Sequence, residues 1–187
     1  MPDQTFAPDW QTQPETREAQ GLRLETAPAG GVFLVAARTG AVLPPLSGLA
    51  WPTAPGPWVG GDPGMTLIAP NRWLVACAPA HRGAVGAQLE ALQAGQLVHA
   101  HDVGDGRVWF AVSGPRADAL LNCGIAIDLA LDRFPPGTAA SVQLSRAHVL
   151  LHRSGAHAFR LLADASYTSY LRAWFAHTMP LVAGAPT

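Results

Sequence analysis

Lysine is absent from this 187-residue chain, and all 12 of its basic residues are arginine. That excludes an in-chain phosphate-loop lysine, a Schiff-base lysine and a lysine general base. Charge of either sign is scarce, at 13% of residues, and the formal net charge is −1. So weak a field gives no pull toward nucleic acid or an anionic membrane surface. No apolar run approaches the roughly 18–20 residues that span a bilayer. Cysteine is nearly missing as well: Cys77 and Cys123 stand far apart, with no Cys-x-x-Cys pair to build a zinc knuckle or a cluster site. Two thiols in so long a chain read as small core side chains in a reducing compartment, although an oxidising one would allow them to pair. The opening "MPDQTFAPDWQTQPETREAQG" has neither a basic flank nor an apolar segment of its own. It reads as neither a signal nor a transit peptide, and the expected location is the cytoplasm.

What remains is rich in apolar residues, at 49%, enough for one domain with a substantial core. Residues 1–20 read as a tail pinned by Phe6 and Trp10, residues 21–180 as the domain, and residues 181–187 as a second tail. "GLRLETAPAGGVFLVAARTG" predicts two strands around a turn at Gly30 and Gly31. Residues 41–64 carry six prolines and five glycines, which removes amide donors and predicts an irregular arm. The arm is either a surface cover anchored by Trp51 and Trp58 or a strap laid on another subunit.

Beyond the arm, strand pairs alternate with single helices. "MTLIAP" and "RWLVACA" precede a helix over about 80–94, with Val85, Leu89 and Leu92 on one face. "LVHAHDV" and "RVWFAVS" read as a pair across the Gly104–Gly106 turn, followed by a short helix after Pro115. "ASVQLS", "AHVLLHR" and "AFRLLAD" lead to a helix over about 165–179. The pattern predicts an α+β fold made of ferredoxin-like units, two in number, with antiparallel sheets and helices on one face.

The stretch "VWFAVSGPRADALLNCG" tests whether a strand–turn–helix is a ligand loop. Ser113 or Gly114 fits an N-cap, Pro115 the first helical position and Gly124 a left-handed stop. Pro115 also removes a donor that an anion would need, so the turn reads as a helix start and not as a phosphate loop.

The other chemical candidates are sparse. His99 and His101 share a strand face about 6–7 Å apart, a workable distance for a metal, as in a metal-dependent hydrolase. A third ligand would have to come from Asp105 or from His148 and His152, which read as ordinary polar positions. Ser113 lacks the Gly-x-Ser-x-Gly elbow of a nucleophile. "GDGRVW" lacks the third glycine of a dinucleotide fingerprint. No catalytic, cofactor-binding or metal residue is therefore assigned. Tyr167, Tyr170, Leu171, Trp174, Phe175 and Thr178 recur at helical spacing, as material for a core or for a docking face.

"SGPRADALLNCGIAIDL" resembles the recurrent strand–turn–helix signature of the aminomethyltransferase-like folate-binding superfamily. With "MTLIAPNRWLVACAP", "HDVGDGRVWF" and "AFRLLADASYTSYLRAWFAH", the chain from about Gly64 to His177 is similar to the gamma subunit of heterotetrameric sarcosine oxidase. It departs from that pattern at Asp102-Val103-Gly104-Asp105, where Asp-Val-Ser-Asp is expected. The resemblance implies a non-catalytic subunit beside alpha, beta and delta partners. The enzyme would demethylate sarcosine or a similar N-methyl amine oxidatively, pass the one-carbon unit to tetrahydrofolate and release hydrogen peroxide. FAD, FMN, NAD and tetrahydrofolate would sit on the large partners and zinc on the smallest, with no cofactor on this chain. A free-standing folate-binding protein is the other reading, although its Lys-Gly-Cys-Tyr-x-Gly-Gln type motif is absent.

Overall fold

Alternation along the strands sorts the apolar side chains onto two faces, and the protein uses both. The computed structural model describes residues 14–184. In chain order the elements are β1 (Glu15–Ala19), β2 (Leu22–Pro28), β3 (Gly31–Ala37), β4 (Val59–Gly60), β5 (Gly64–Ala69), β6 (Arg72–Cys77) and α1 (Arg82–Ala94). There follow β7 (Val98–Asp102), β8 (Arg107–Ser113), α2 (Ala117–Asn122), β9 (Ala139–Leu144), β10 (Ala147–Gly155), β11 (Ala158–Asp164) and α3 (Thr168–Ala183). Six strands form one antiparallel sheet in the order β1-β2-β8-β11-β10-β9, and five form a second in the order β4-β5-β6-β3-β7.

Three apolar clusters define the layers. Val108, Phe110 and Val112 of β8, with Phe159 and Leu161 of β11, pack against Leu120 and Leu121 of α2 and Leu171 and Phe175 of α3. Phe33 and Val35 of β3, with Val75 of β6, pack against Val85 and Leu89 of α1. The alternate positions, Val32, Leu74 and Ala76 on one sheet and Trp109, Leu150 and Leu162 on the other, meet in a third cluster between the sheets. The order is helix, sheet, sheet, helix, with the helices on the outer face of each sheet, and the α+β class is as expected. Burial of each Leu or Phe contributes about 1.5–3 kcal/mol, so all three clusters matter.

The strand pairing differs from the sequence expectation at two glycine-rich turns. β2 and β3 do not form a hairpin across Gly30 and Gly31; β2 pairs with β1 and β8, whereas β3 belongs to the other sheet. Likewise β7 pairs with β3, and β8 with β2 and β11, so the Gly104–Gly106 turn joins two sheets. Both connections cross at one place. Ala29 N–H donates to the Arg107 carbonyl and Val103 N–H to the Val32 carbonyl, at 3.3 and 2.7 Å. A Cβ on Gly104 would collide with the Gly30 carbonyl oxygen, which is why the position tolerates no side chain. The five-stranded unit is thus inserted between β2 and β8, which are neighbours in the six-stranded sheet.

Other boundaries move as well. Residues 15–19, expected in the tail, form β1, and α3 runs to Ala183, past the expected boundary at residue 180. Phe6 and Trp10 lie outside the described residues. Helix α2 starts at Ala117 with Arg116 as N-cap, later than Pro115 suggested, because Gly114 takes φ 125° and its carbonyl accepts from Ala117 N–H. Gly124 is not a left-handed stop; it is needed because Leu144 and Trp174 press against its Cα. Cys77 is buried, but Cys123 is exposed, and both are free thiols. The arm folds back on its own sheet: Leu46 is buried, Trp51 Nε1 donates to the Pro44 carbonyl, and Trp73 Nε1 donates to the Pro52 carbonyl.

Candidate functional site

The five-stranded sheet covers only part of the inner face of the six-stranded one, and a cleft of about 420 Å³ opens where the cover stops. Its floor is a rank of side chains directly opposite one another across three strands, Glu25 on β2, Ala111 on β8 and Arg160 on β11, and His152 on β10, stacked on Trp58, continues the rank outside the cleft lining. The next rank contributes Ala27 and Trp109. The facing wall is Trp58, Gly61 and Asp62 from the end of the arm, with Ala76 to Pro79 leaving β6.

Four of these side chains form one stacked group. The Arg160 guanidinium lies over the Trp109 ring, 4.3 Å from its centroid. Trp58 stacks on His152 at 4.6 Å between ring centroids and meets Trp109 edge-on at 6.4 Å. Burial holds the His152 imidazole neutral, with its pKa lowered to about 4, and the nearby Arg160 charge adds to that effect. Its Nδ1 is buried without a hydrogen-bond partner among the described residues. Burial pushes the Cys77 thiol up, and the negative charges of Asp62 and Asp102 add to it, so Cys77 is no ready thiolate. At the rim, Asp62 accepts from Ala78 N–H at 2.8 Å and pairs with His81 at 3.0 Å.

The structure distributes the sequence candidates differently. His99 and His101 stand together, 4.7 Å between ring centroids, but both are exposed on the edge strand β7. Asp105, offered as their third ligand, is held by Arg82, as is Asp102, at 2.7 and 2.6 Å. Among the described residues no three His, Cys, Asp or Glu side chains converge to hold a metal ion. His148 is exposed on the edge-side hairpin, whereas His152, read as an ordinary polar position, is buried between the sheets. Ser113 ends β8, opposite Arg23 of β2 and Ala158 of β11. On α3, Leu171, Phe175 and Thr178 are buried, Tyr170 and Trp174 pack against that core, and Tyr167 is partly open. Sequence reasoning missed Arg160, Trp109 and Ala111 as a group. The visible signal was a charged residue at an inward position of the apolar strand "AFRLLAD".

Two facing antiparallel sheets with helices outside place the chain in the aminomethyltransferase-like, folate-binding-domain fold. The glycine cleavage system aminomethyltransferase T from Bartonella henselae shares it, with a TM-score of 0.58 at 16% identity over 82% of this chain and 46% of that one. A chain of the heterotetrameric sarcosine oxidase from Corynebacterium sp. U-96, solved in complex with pyrrole 2-carboxylate, gives a TM-score of 0.81 at 21% identity, covering 92% of this chain and 91% of that one. The chain belongs to the sarcosine oxidase, gamma subunit family, whose model matches residues 35–179. A search of the curated proteins gave no match. Among the described residues no helix is long and apolar enough to cross a membrane.

Proposed function

We propose that this chain is a structural, non-catalytic subunit of a heterotetrameric sarcosine oxidase, held against alpha, beta and delta partners in the cytoplasm. The assembly would oxidatively demethylate sarcosine or a similar N-methyl amine, pass the one-carbon unit to tetrahydrofolate and release hydrogen peroxide. FAD, FMN, NAD and tetrahydrofolate belong to the large partners in this reading, and zinc to the smallest.

Family membership over residues 35–179, from β3 into α3, carries the proposal. Surface chemistry supports it. Leu131 and Leu181 are more than half exposed, and Ile127 and Tyr167 are exposed by more than a third, which is material for docking. β7 and β9 lie at the edges of the two sheets, places where a neighbouring chain can dock.

Co-expression with the three presumed partners tests the proposal. The chain is expected to co-purify with them in fixed stoichiometry, and its omission is expected to lower recovery of the assembled, active enzyme. A soluble, catalytically active monomer would overturn the reading, as would a complex that assembles and turns over equally well without this chain.

A further inference from the structure

Several of the other partly buried arginines are engaged by polar partners, although Arg172 Nε makes no hydrogen bond among the described residues. Arg153, 1% exposed, donates to the main-chain carbonyls of Leu129, Phe134, Gly155 and Ala156. Arg82 bridges Asp102 and Asp105, and Arg172 reaches Glu15 at 3.2 Å. Arg116 donates to the Val182 and Ala183 carbonyls. Arg160 differs. It is half-buried, one face is covered by Trp109, and among the described residues no hydrogen bond or ion pair engages its guanidinium. A cation partly withdrawn from water, with only the longer-range charge of Asp62 to offset it, is costly, and the planar fork of five N–H groups is shaped for a carboxylate.

We infer that the cleft between the sheets is a binding site for a small planar organic monoanion, an aromatic carboxylate held by Arg160. The shape of the site selects this class. Ala111 sits between Glu25 and Arg160 in the same cross-strand rank, and its methyl leaves the floor open beside the guanidinium. Trp58 and Trp109 supply flat apolar walls, the lining that small-ligand sites favour. The cleft volume of about 420 Å³ falls in the ordinary range for such sites. Glu25 and Asp62 at the rim repel a second negative charge, which disfavours phosphates and nucleotides. This inference is independent of the assembly reading: the site is built from one chain, and its test is a binding measurement.

The test titrates the full chain with benzoate, following tryptophan fluorescence and calorimetry, beside the neutral isostere benzamide and inorganic phosphate. Benzoate is expected to bind saturably with a Kd of about 1 mM or tighter, and benzamide and phosphate at least about tenfold more weakly. Arg160→Met should weaken benzoate by about tenfold or more and leave benzamide unchanged, with Arg160→Lys intermediate. Ala111→Leu should block benzoate while keeping Arg160 in place, and Glu25→Gln should tighten it. The proposal is overturned if benzoate fails to saturate, if benzamide or phosphate binds as well as benzoate, or if a folded Arg160→Met chain binds benzoate like the parent.

Discussion

In the half formed by residues 31–103, the outer face of the sheet is covered by one helix and by the proline-rich arm. In the half formed by residues 15–28 and 107–183, two helices cover it. Both halves also carry irregular chain that must satisfy its carbonyls indoors, and they do so with different donors. The arm is held by neutral indole N–H groups, Trp51 to the Pro44 carbonyl and Trp73 to the Pro52 carbonyl, both at 2.8 Å. The segment between α2 and β9 is held by the buried Arg153 charge, which bonds the Leu129 and Phe134 carbonyls at 2.7 and 2.9 Å and lies against the Phe159 ring. A charged donor makes stronger bonds but must be stripped of water to make them. The two covers should therefore fail differently.

The largest effect is expected at Arg153. Arg153→Met keeps much of the apolar stem but orphans several buried carbonyls, and should cost about 3–5 kcal/mol in urea unfolding. Hydrogen exchange should rise first over residues 129–138. A cost below about 1 kcal/mol would erase the contrast between the halves. Next comes the arm: Leu46→Ala removes a fully buried side chain that docks the arm on the second core, and should cost about 2–4 kcal/mol. If the arm were a loose cover, the change would be nearly silent.

The smallest effect lies at the seam and depends on pH. His152 is neutral in the folded protein down to pH about 4, while an unfolded histidine takes its proton near 6.5. As pH falls between these values, the unfolded chain binds the proton first, so stability declines through that window and is unaffected above it. The decline should reach about 2–3 kcal/mol by its lower end. Urea midpoints measured from pH 7 to pH 4 check this, with His152→Gln expected to flatten the His152 contribution. An unchanged slope in the variant would show that the imidazole is open to water.

Much of the fold was legible in alternation and spacing. β5, β6 and β8 to β11 stand where apolar periodicity put them, and Val85 and Leu89 of α1 and Leu171, Phe175 and Thr178 of α3 are buried as their spacing suggests, while Tyr167 stays exposed. Pairing was not legible, because a Gly-Gly or Gly-Asp-Gly turn has the same local chemistry in a hairpin as in a crossover between sheets. Only the close approach of Gly104 to Gly30 separates the two cases, and that contact is tertiary. The cleft was half legible. Arg160 and His152 each announce themselves as polar residues at inward positions, but Ala111 matters only once β8 is known to lie between β2 and β11. The exposure of Cys123 was missed for a similar reason, since it closes α2 on the side away from the core.

The insertion of one unit between β2 and β8 also sets an order of events at the ribosome. Residues 31–103 emerge as an unbroken run and can close on contacts among themselves, whereas β2 has only β1 beside it until β8 appears. The β2 edge stays open while residues 31–103 are made, and pairing with β8, just past the junction of Gly30 with Gly104, closes it.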